Sequence, residues 1–431
     1  MDPEAPSGGS SGMAPMQPGA AAALAELGAL LLDADLSVTD VRTGLVAVAD
    51  ATGSERFSVS VLPAAVLIGQ DDRGGSAVIG TATGDALSTR QAARSMLLLR
   101  GIEDRSVPVR DAPAAIRAIR DSTMPHPALA WIGGSAMVSI GLAVLFRCPW
   151  WAIATAAAGG AAVGALVRLM GRLSRTAAVI PFTAAFASTL FVGAIASWLG
   201  TGPVPLYAVC APIAILVPGA LITNALLELT AADIVTGSAR LAYGLIVLGF
   251  MAAGIAAGGA LTGLHVDPDS ASLVGQPASA PALAAGWMAA PPLWLAWIGV
   301  AVLAAGVGLA LGAGVALTTV GLVVMLGTYG GLSLLTPLTG SAVATGTTAA
   351  ALFIAARLLE RLSVGIPAAT TFQPAFLLLV PGSVGLVALS TGEADAVTGA
   401  LLAFAALCIG TKIGSFLTDL RLPDRTRRAA T

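Results

Sequence analysis

The chain has 431 residues, of which 56% are hydrophobic and 11% are charged, whereas soluble domains carry about 25% charged residues. This composition excludes a soluble globular protein and indicates a polytopic membrane protein. The net charge of −2 predicts no nucleic-acid partner. Three separated cysteines and two distant histidines match neither a disulfide framework nor a metal site, so we expect no metal and no cofactor.

The amino-terminal part of the chain differs from the rest. Residues 1–19 are rich in Pro, Gly and Ser and predict a disordered leader. Residues 20–122 carry charges every few positions and contain no apolar run of membrane length. Within them, Ser37 predicts the start of an amphipathic helix, and the residues flanking "QDDRGG" at 70–75 predict a β-hairpin. We therefore predict a small cytoplasmic α+β domain.

From Pro127 onward the chain consists of long apolar segments, each close to the roughly 20 residues that a membrane-spanning helix needs. Arginine placement tests this reading, because cytoplasmic loops are enriched in Lys and Arg. If both termini are cytoplasmic, the inner loops and the tail hold almost all the loop arginines and the outer loops only Arg147. The ten predicted spans are about 127–146, 150–168, 177–199, 205–226, 234–260, 291–311, 314–335, 340–359, 366–389 and 396–418.

Two apolar segments share an unusual pattern. "LVPG" occurs at 216–219 and again at 379–382, and each copy is followed by D-x-V-T-G, at 233–237 and 395–399. The match predicts two repeats of five spans, and because five is odd the repeats must be inverted, as in many secondary transporters. The partition is then a first five-helix repeat at 123–263, an extracytoplasmic loop at 264–290, a second repeat at 291–420 and a basic cytoplasmic tail at 421–431.

A Pro-Gly pair interrupts a helix, and within a membrane such a break is tolerated only beside protein or a water-filled cavity. The helix that restarts after the break directs its positive end at the gap, which suits an anionic group. A packing kink is the alternative, although the duplication favours a site. Asn224 and Gln373 can donate and accept hydrogen bonds, or can instead bond a neighbouring helix. The candidate substrate-binding residues are Pro218, Gly219, Thr223, Asn224, Gln373, Pro381, Gly382 and Ser383.

Charged groups in or beside membrane spans are costly and therefore informative. One interpretation makes Asp233 or Glu228 the proton acceptor, with Arg240 adjusting its proton affinity or holding a substrate carboxylate. The other is a solvated cluster at the interface, from which Arg240 snorkels. Asp395 takes the inverted position outside. The Gly-x-x-x-Gly pairs at 160/164, 254/258 and 308/312 predict helix contacts rather than sites.

Three segments of the chain, two in the membrane region and one in the amino-terminal part, resemble a known family. "LVPGALITNALLELTAADIVTGSARLAYGL" and, in the soluble part, "DVRTGLVAVADATGSERFSVSVLPAAVLI" are similar to the bacterial threonine/serine exporters, and "FLLLVPGSVGL" is similar to the carboxy-terminal half of that family, here fused. The resemblance implies ten spans in the bacterial inner membrane. It also implies export of L-threonine and L-serine driven by the proton motive force.

We therefore expect a secondary exporter whose partners are threonine, serine, protons and membrane lipid, and we leave a homo-oligomer open. Two alternatives are a membrane-anchored enzyme that uses the soluble domain and a passive small-solute channel. The domain at 20–122 has no histidine and no cysteine, and the only G-x-S-x-G match lies in the leader. We therefore predict no catalytic residues.

Overall fold

The computed structural model describes residues 19–52, 57–70, 77–124, 126–173, 179–264, 266–267, 286–362, 375, 378–379 and 394–421. The protein is mainly helical, and its described residues include one three-stranded sheet near the amino terminus. This agrees with the predicted combination of a small α+β domain and a helical membrane region.

The amino-terminal domain forms around its first helix. Gly80 lets that helix approach the sheet, because a Cβ at this position would clash with the carbonyl oxygen of Ala25. Ser37 accepts a hydrogen bond from the backbone N–H of Asp40, which confirms the predicted helix start. The elements are α1 (Ala20–Asp33), α2 (Val38–Ala51), β1 (Phe57–Leu62), β2 (Ala65–Gln70), β3 (Ala77–Thr81), α3 (Thr89–Glu103) and α4 (Ala112–Asp121), with the antiparallel strands in the order β1-β2-β3.

In the first half of the membrane region, helices lie at all five predicted span positions, and four of them are long and apolar enough to cross a membrane. The fourth predicted span is divided into a short α-helix, a 3-10 helix and a second α-helix. The predicted helix break is therefore confirmed. The elements are α5 (Pro127–Leu145), α6 (Trp150–Leu173), α7 (Ile180–Leu199), α8 (Leu206–Cys210), the 3-10 helix Ala211–Leu216, α9 (Gly219–Thr230) and α10 (Ile234–Thr262).

The second half contains α11 (Leu295–Ala310), α12 (Gly314–Thr339), α13 (Ser341–Leu362) and α14 (Ala394–Arg421). In the described parts of the chain, 7 helices are long and apolar enough to cross a membrane, and the segments Leu206–Leu216 and Leu295–Ala310 are apolar but shorter. The predicted span at 366–389, with the second Pro-Gly pair, falls almost entirely outside the described residues. The count of ten spans therefore stays a prediction.

Close helix packing at glycines shows how the helices run relative to one another. In the first half, Gly254 lies against Phe182 and Gly258 against Thr189, so α7 and α10 are parallel. In the second half, Gly346 lies against Ala406 and Gly414 against Ala350, so α13 and α14 are parallel as well. The third and fifth spans are thus paired in the same way in both halves.

The first helices of the two halves also pack together, with opposite directions. A Cβ at Gly134 would lie 2.6 Å from the backbone nitrogen of Ala310, and a Cβ at Gly141 would lie 2.6 Å from that of Leu303. Residues later in α5 thus contact residues earlier in α11, so the two helices are antiparallel. An inverted repeat requires this arrangement, but the repeat itself stays a prediction without the second helix break.

The two faces of the membrane region are distinguished by the amino-terminal domain. We call the side on which this domain packs the domain face and the other side the opposite face. On the opposite face, Val204 pairs with Val266 in a short parallel ladder, and the Arg147 guanidinium donates to the carbonyl of Pro291 at 3.2 Å. These contacts join loops that the arginine pattern places together on the side away from the domain.

Candidate functional site

The helix break lies at the two residues before α9. The 3-10 helix ends at Leu216, Val217 is extended with φ −64° and ψ 123°, and Pro218 follows. An extended conformation is what a residue before proline prefers. From Gly219 the chain resumes as α9, which places Asn224 and Glu228 four residues apart on one side of the helix.

Glu228 forms a buried ion pair with Arg240 of α10. Oε1 of Glu228 lies 2.9 Å from Nη1 of Arg240, and the two side chains are 0% and 12% exposed. The other oxygen, Oε2, is buried and has no hydrogen-bond partner in the described part of the structure. In the described structure neither group is open to water, which favours a paired site over a solvated cluster.

Asp233 occupies the N-cap position of α10, but its carboxylate does not cap that helix. Its two oxygens instead accept hydrogen bonds from the Arg42 guanidinium at 2.8 and 3.1 Å, and one of them also accepts from the Thr39 hydroxyl. Burial raises the pKa of Asp233, but the hydrogen bonds from Thr39 and Arg42 outweigh it and hold the pKa below its ordinary value. Asp233 therefore stays ionised and bound to the amino-terminal domain.

The residues that receive these membrane-side groups form a single segment of the domain, Asp35 to Arg42, which we call the docking segment. The backbone N–H of Val38 donates to Oε1 of Glu228 at 2.9 Å. Nη2 of Arg240 donates to the carbonyl of Leu36, and the amide of Asn224 donates to that of Asp35, both at 3.3 Å. Four residues that the sequence marks as candidates thus contact the amino-terminal domain.

A second contact joins the domain to the other half of the membrane region. The backbone N–H groups of Thr89 and Arg90, at the start of α3, donate to the carbonyls of Leu311 and Gly312 at 2.8 and 3.3 Å. These carbonyls belong to the turn between α11 and α12. Gly312 has φ +68°, and a Cβ there would lie 2.8 Å from the sulfur of Met124.

With this geometry established, the chain can be compared with known proteins. The sequence model of the family described as "Putative threonine/serine exporter" matches residues 22–262, which is more than half of the chain. The chain belongs to the threonine/serine exporter family. The matched residues of this exporter family member include the docking segment, the first helix break and the buried ion pair. No curated protein and no solved structure matches the chain.

The remaining candidates of this exporter family member are described less completely. Pro218 and Gly219 are half-buried at the break, and the side chain of Thr223 lies outside the described structure. Asp395 lies in the first turn of α14, at the opposite face, and its side chain is also outside the description. No group of three His, Cys, Asp or Glu that could hold a metal ion occurs among the described residues. Residues wholly outside the description are Gln373, Pro381, Gly382 and Ser383.

The docking partners Thr39 and Arg42 are the residues that sequence reasoning missed. Both lie on the side of α2 away from its apolar face, where polar residues ordinarily face water. Nothing in the local pattern distinguishes them from solvated side chains. The only signal in the sequence was carried by Glu228 and Asp233, because carboxylates at the end of a membrane helix need a compensating charge.

Proposed function

We propose that this protein is a secondary active exporter of L-threonine and L-serine that exchanges the amino acid for a proton. It acts in the bacterial inner membrane, with the amino-terminal domain and both termini in the cytoplasm. Family membership supports transport of small hydroxy amino acids. The observation that carries the proton-coupled mechanism is the buried pair of Glu228 and Arg240, with one oxygen of Glu228 unpaired among the described residues.

The pair offers complementary charges to a zwitterion. An amino acid that enters the pair can place its carboxylate on Arg240 and its ammonium on Glu228, so that one buried ion pair is replaced by two. Asn224 lies on the same side of α9 as Glu228 and can hydrogen-bond the substrate hydroxyl. The helix break is about 14 Å away along α9, at 1.5 Å per residue, and its positive helix end supplies a second position for the carboxylate on the way outward.

Glu228 suits the role of proton carrier better than Asp233. Both oxygens of Asp233 are bound by Arg42, and its pKa is lowered. Glu228 has an oxygen available to receive a proton. Once protonated, Glu228 no longer attracts the substrate ammonium, so the proton and the amino acid exclude one another. This mutual exclusion is the condition for antiport rather than symport.

The antiparallel packing of α5 and α11 and the matching α7–α10 and α13–α14 pairs support the inverted-repeat part of the proposal. In such a transporter one repeat rocks against the other around a site at their interface. The second Pro-Gly pair, Pro381 and Gly382, would then supply the equivalent half-site. Asp395, at the opposite face, would release or accept the proton outside.

The proposal is tested with purified protein in liposomes that are loaded with threonine. Glu228→Gln keeps the shape of the side chain but, like the protonated carboxyl, does not attract the substrate ammonium and cannot titrate, so we expect efflux driven by a pH gradient and threonine exchange both to be lost. Glu26→Gln, an exposed substitution in the domain, is the matched control and should change neither activity. Asp233→Asn should keep the coupling to the gradient.

Three results would contradict the proposal. Coupled efflux that survives Glu228→Gln and is lost in Asp233→Asn would make Asp233 the carrier. Wild-type efflux that ignores the pH gradient would identify a passive channel. Threonine that is chemically consumed without crossing the membrane would identify an enzyme.

A further inference from the structure

The docking segment presents to the membrane region the same chemical groups that a hydroxy amino acid would present. The Val38 N–H takes the position of an ammonium donor on Glu228, and the Thr39 hydroxyl donates to Asp233. The carbonyl oxygens of Asp35 and Leu36 accept from Asn224 and Arg240, as a carboxylate would. With its own backbone and one hydroxyl, the segment thus provides hydrogen-bond partners for the polar side chains of the candidate site at the domain face.

The docked segment also separates the ion pair from water. Glu228 is completely buried and Arg240 nearly so, although both lie at the domain end of their helices. A carboxylate that exchanges protons or substrate with the cytoplasm has to be reached from that side. In the docked arrangement the segment covers it, so the segment has to leave before either can bind.

The segment is fixed within its own domain and does not peel away alone. Leu36 and Val38 are 5% and 1% exposed because they also belong to the core of the domain. The preceding Asp33 carboxylate is anchored to Arg120 at 2.6 Å and to the backbone N–H groups of Thr83 and Gly84. Release of the segment is therefore a movement of the whole domain relative to the membrane region.

We propose that the docking segment Asp35–Arg42 is a tethered competitor of the substrate, which closes the domain-face entrance until threonine displaces it. This inference rests on the proposed function. The contacts are suited to reversible docking, because they consist of a few hydrogen bonds and an ion pair in which Arg42 is 42% exposed. With a tethered competitor, the apparent affinity for substrate is the intrinsic affinity multiplied by the fraction of protein that is undocked.

The test compares Arg42→Gln with Arg110→Gln in the full-length protein. Arg110 is 72% exposed and pairs only with its neighbour Asp111 among the ion pairs described, so it controls for the loss of a surface charge. Removing a partly exposed pair shifts a docking equilibrium by about threefold to fivefold. We expect Arg42→Gln to lower the KM for threonine at the domain face by that factor and Arg110→Gln to leave it unchanged.

A second readout follows docking directly. The Val38 N–H is at the first turn of α2, where no helical carbonyl is available, and it is bound by Glu228. Amide hydrogen exchange at Val38 should therefore rise when threonine is added to the wild type. In Arg42→Gln the exchange should be faster even without threonine.

The outcomes separate the two proposals. If the wild type transports threonine but Arg42→Gln has an unchanged or raised KM, or Val38 exchange is insensitive to threonine, the competitor proposal is wrong. If the wild type does not transport threonine, the proposed function is wrong and the competitor proposal with it. Should Arg42→Gln not fold, Thr39→Val with Thr43→Val as control gives the same comparison, since the Thr43 hydroxyl bonds only within α2 among the described contacts.

Discussion

Replacing Arg240 by methionine should destabilise the protein, and replacing Glu228 as well should restore it. Arg240→Met keeps most of the side-chain volume but removes the charge that faces Glu228 at 2.9 Å. Because Glu228 is completely buried, its carboxylate would remain without a compensating charge. The perturbation therefore isolates the energy of the ion pair from that of packing.

The structure sets the expected size of the effect. Breaking a buried ion pair by removing one partner costs about 3–5 kcal/mol, whereas removing both partners is often neutral. Glu228→Gln alone should cost about 1–3 kcal/mol, because it leaves the guanidinium with hydrogen bonds but no opposite charge. The double variant should lose about 1 kcal/mol or less. The coupling energy is then at least about 3 kcal/mol, at or above the upper end of the usual range for residues in contact.

The assay is reversible unfolding of the four proteins in mixed micelles, with the melting temperature as a second measure. Arg110 and Asp111 form an exposed pair at 3.8 Å, and the same cycle on that pair should show a coupling of at most about 0.5 kcal/mol. Additive losses at Glu228 and Arg240 would refute the reasoning. They would mean that water or another group, rather than the ion pair, stabilises the buried carboxylate.

Two further predictions address the helix break and the docking. Pro218→Ala restores a backbone N–H and removes a ring clash that costs roughly 3 kcal/mol in a helix interior. We therefore expect normal folding, but threonine binding that is weakened at least about tenfold. An unchanged affinity for threonine would mean that the break is only a packing kink. The lowered pKa of Asp233 means that its contribution to docking is present above the ordinary value of 3.8 and is lost only as the pH falls through the lower docked value. The carboxyl 13C chemical shift of Asp233 should therefore be the same at pH 7 and pH 5, and a change toward the protonated value in that range would show that Asp233 is not held by Arg42.

Sequence reasoning succeeds where the physics is local. Ser37 caps α2, and the Pro-Gly pair interrupts the fourth span, because side-chain capping and the missing N–H of proline act within a few residues. The glycine pairs behave similarly. Gly160 and Gly254 lie in close helix contacts, as small residues in membrane helices ordinarily do.

Sequence reasoning fails where the partner is distant. The hydrogen bond between Val38 and Glu228 joins residues 190 positions apart. The sequence shows that Glu228 and Asp233 need partners, but many basic residues could provide the charge. Which ones do so depends on how the domain sits against the membrane region, which is set by tertiary packing and by the second contact at the α11–α12 turn.

Asp233 shows why the docking contact and the repeat have to be considered together. An aspartate at an N-cap ordinarily stabilises its helix by about 1 kcal/mol, and here that bond is exchanged for bonds to the amino-terminal domain. Its counterpart Asp395 lies at the opposite face, beyond the reach of the domain. If the halves are inverted repeats, their inward-open and outward-open states would otherwise have similar energies, and docking at Asp233 adds a stabilising term to one state only. The domain would then set the resting direction of the exporter, and threonine would have to overcome the docking energy at the domain face before transport begins.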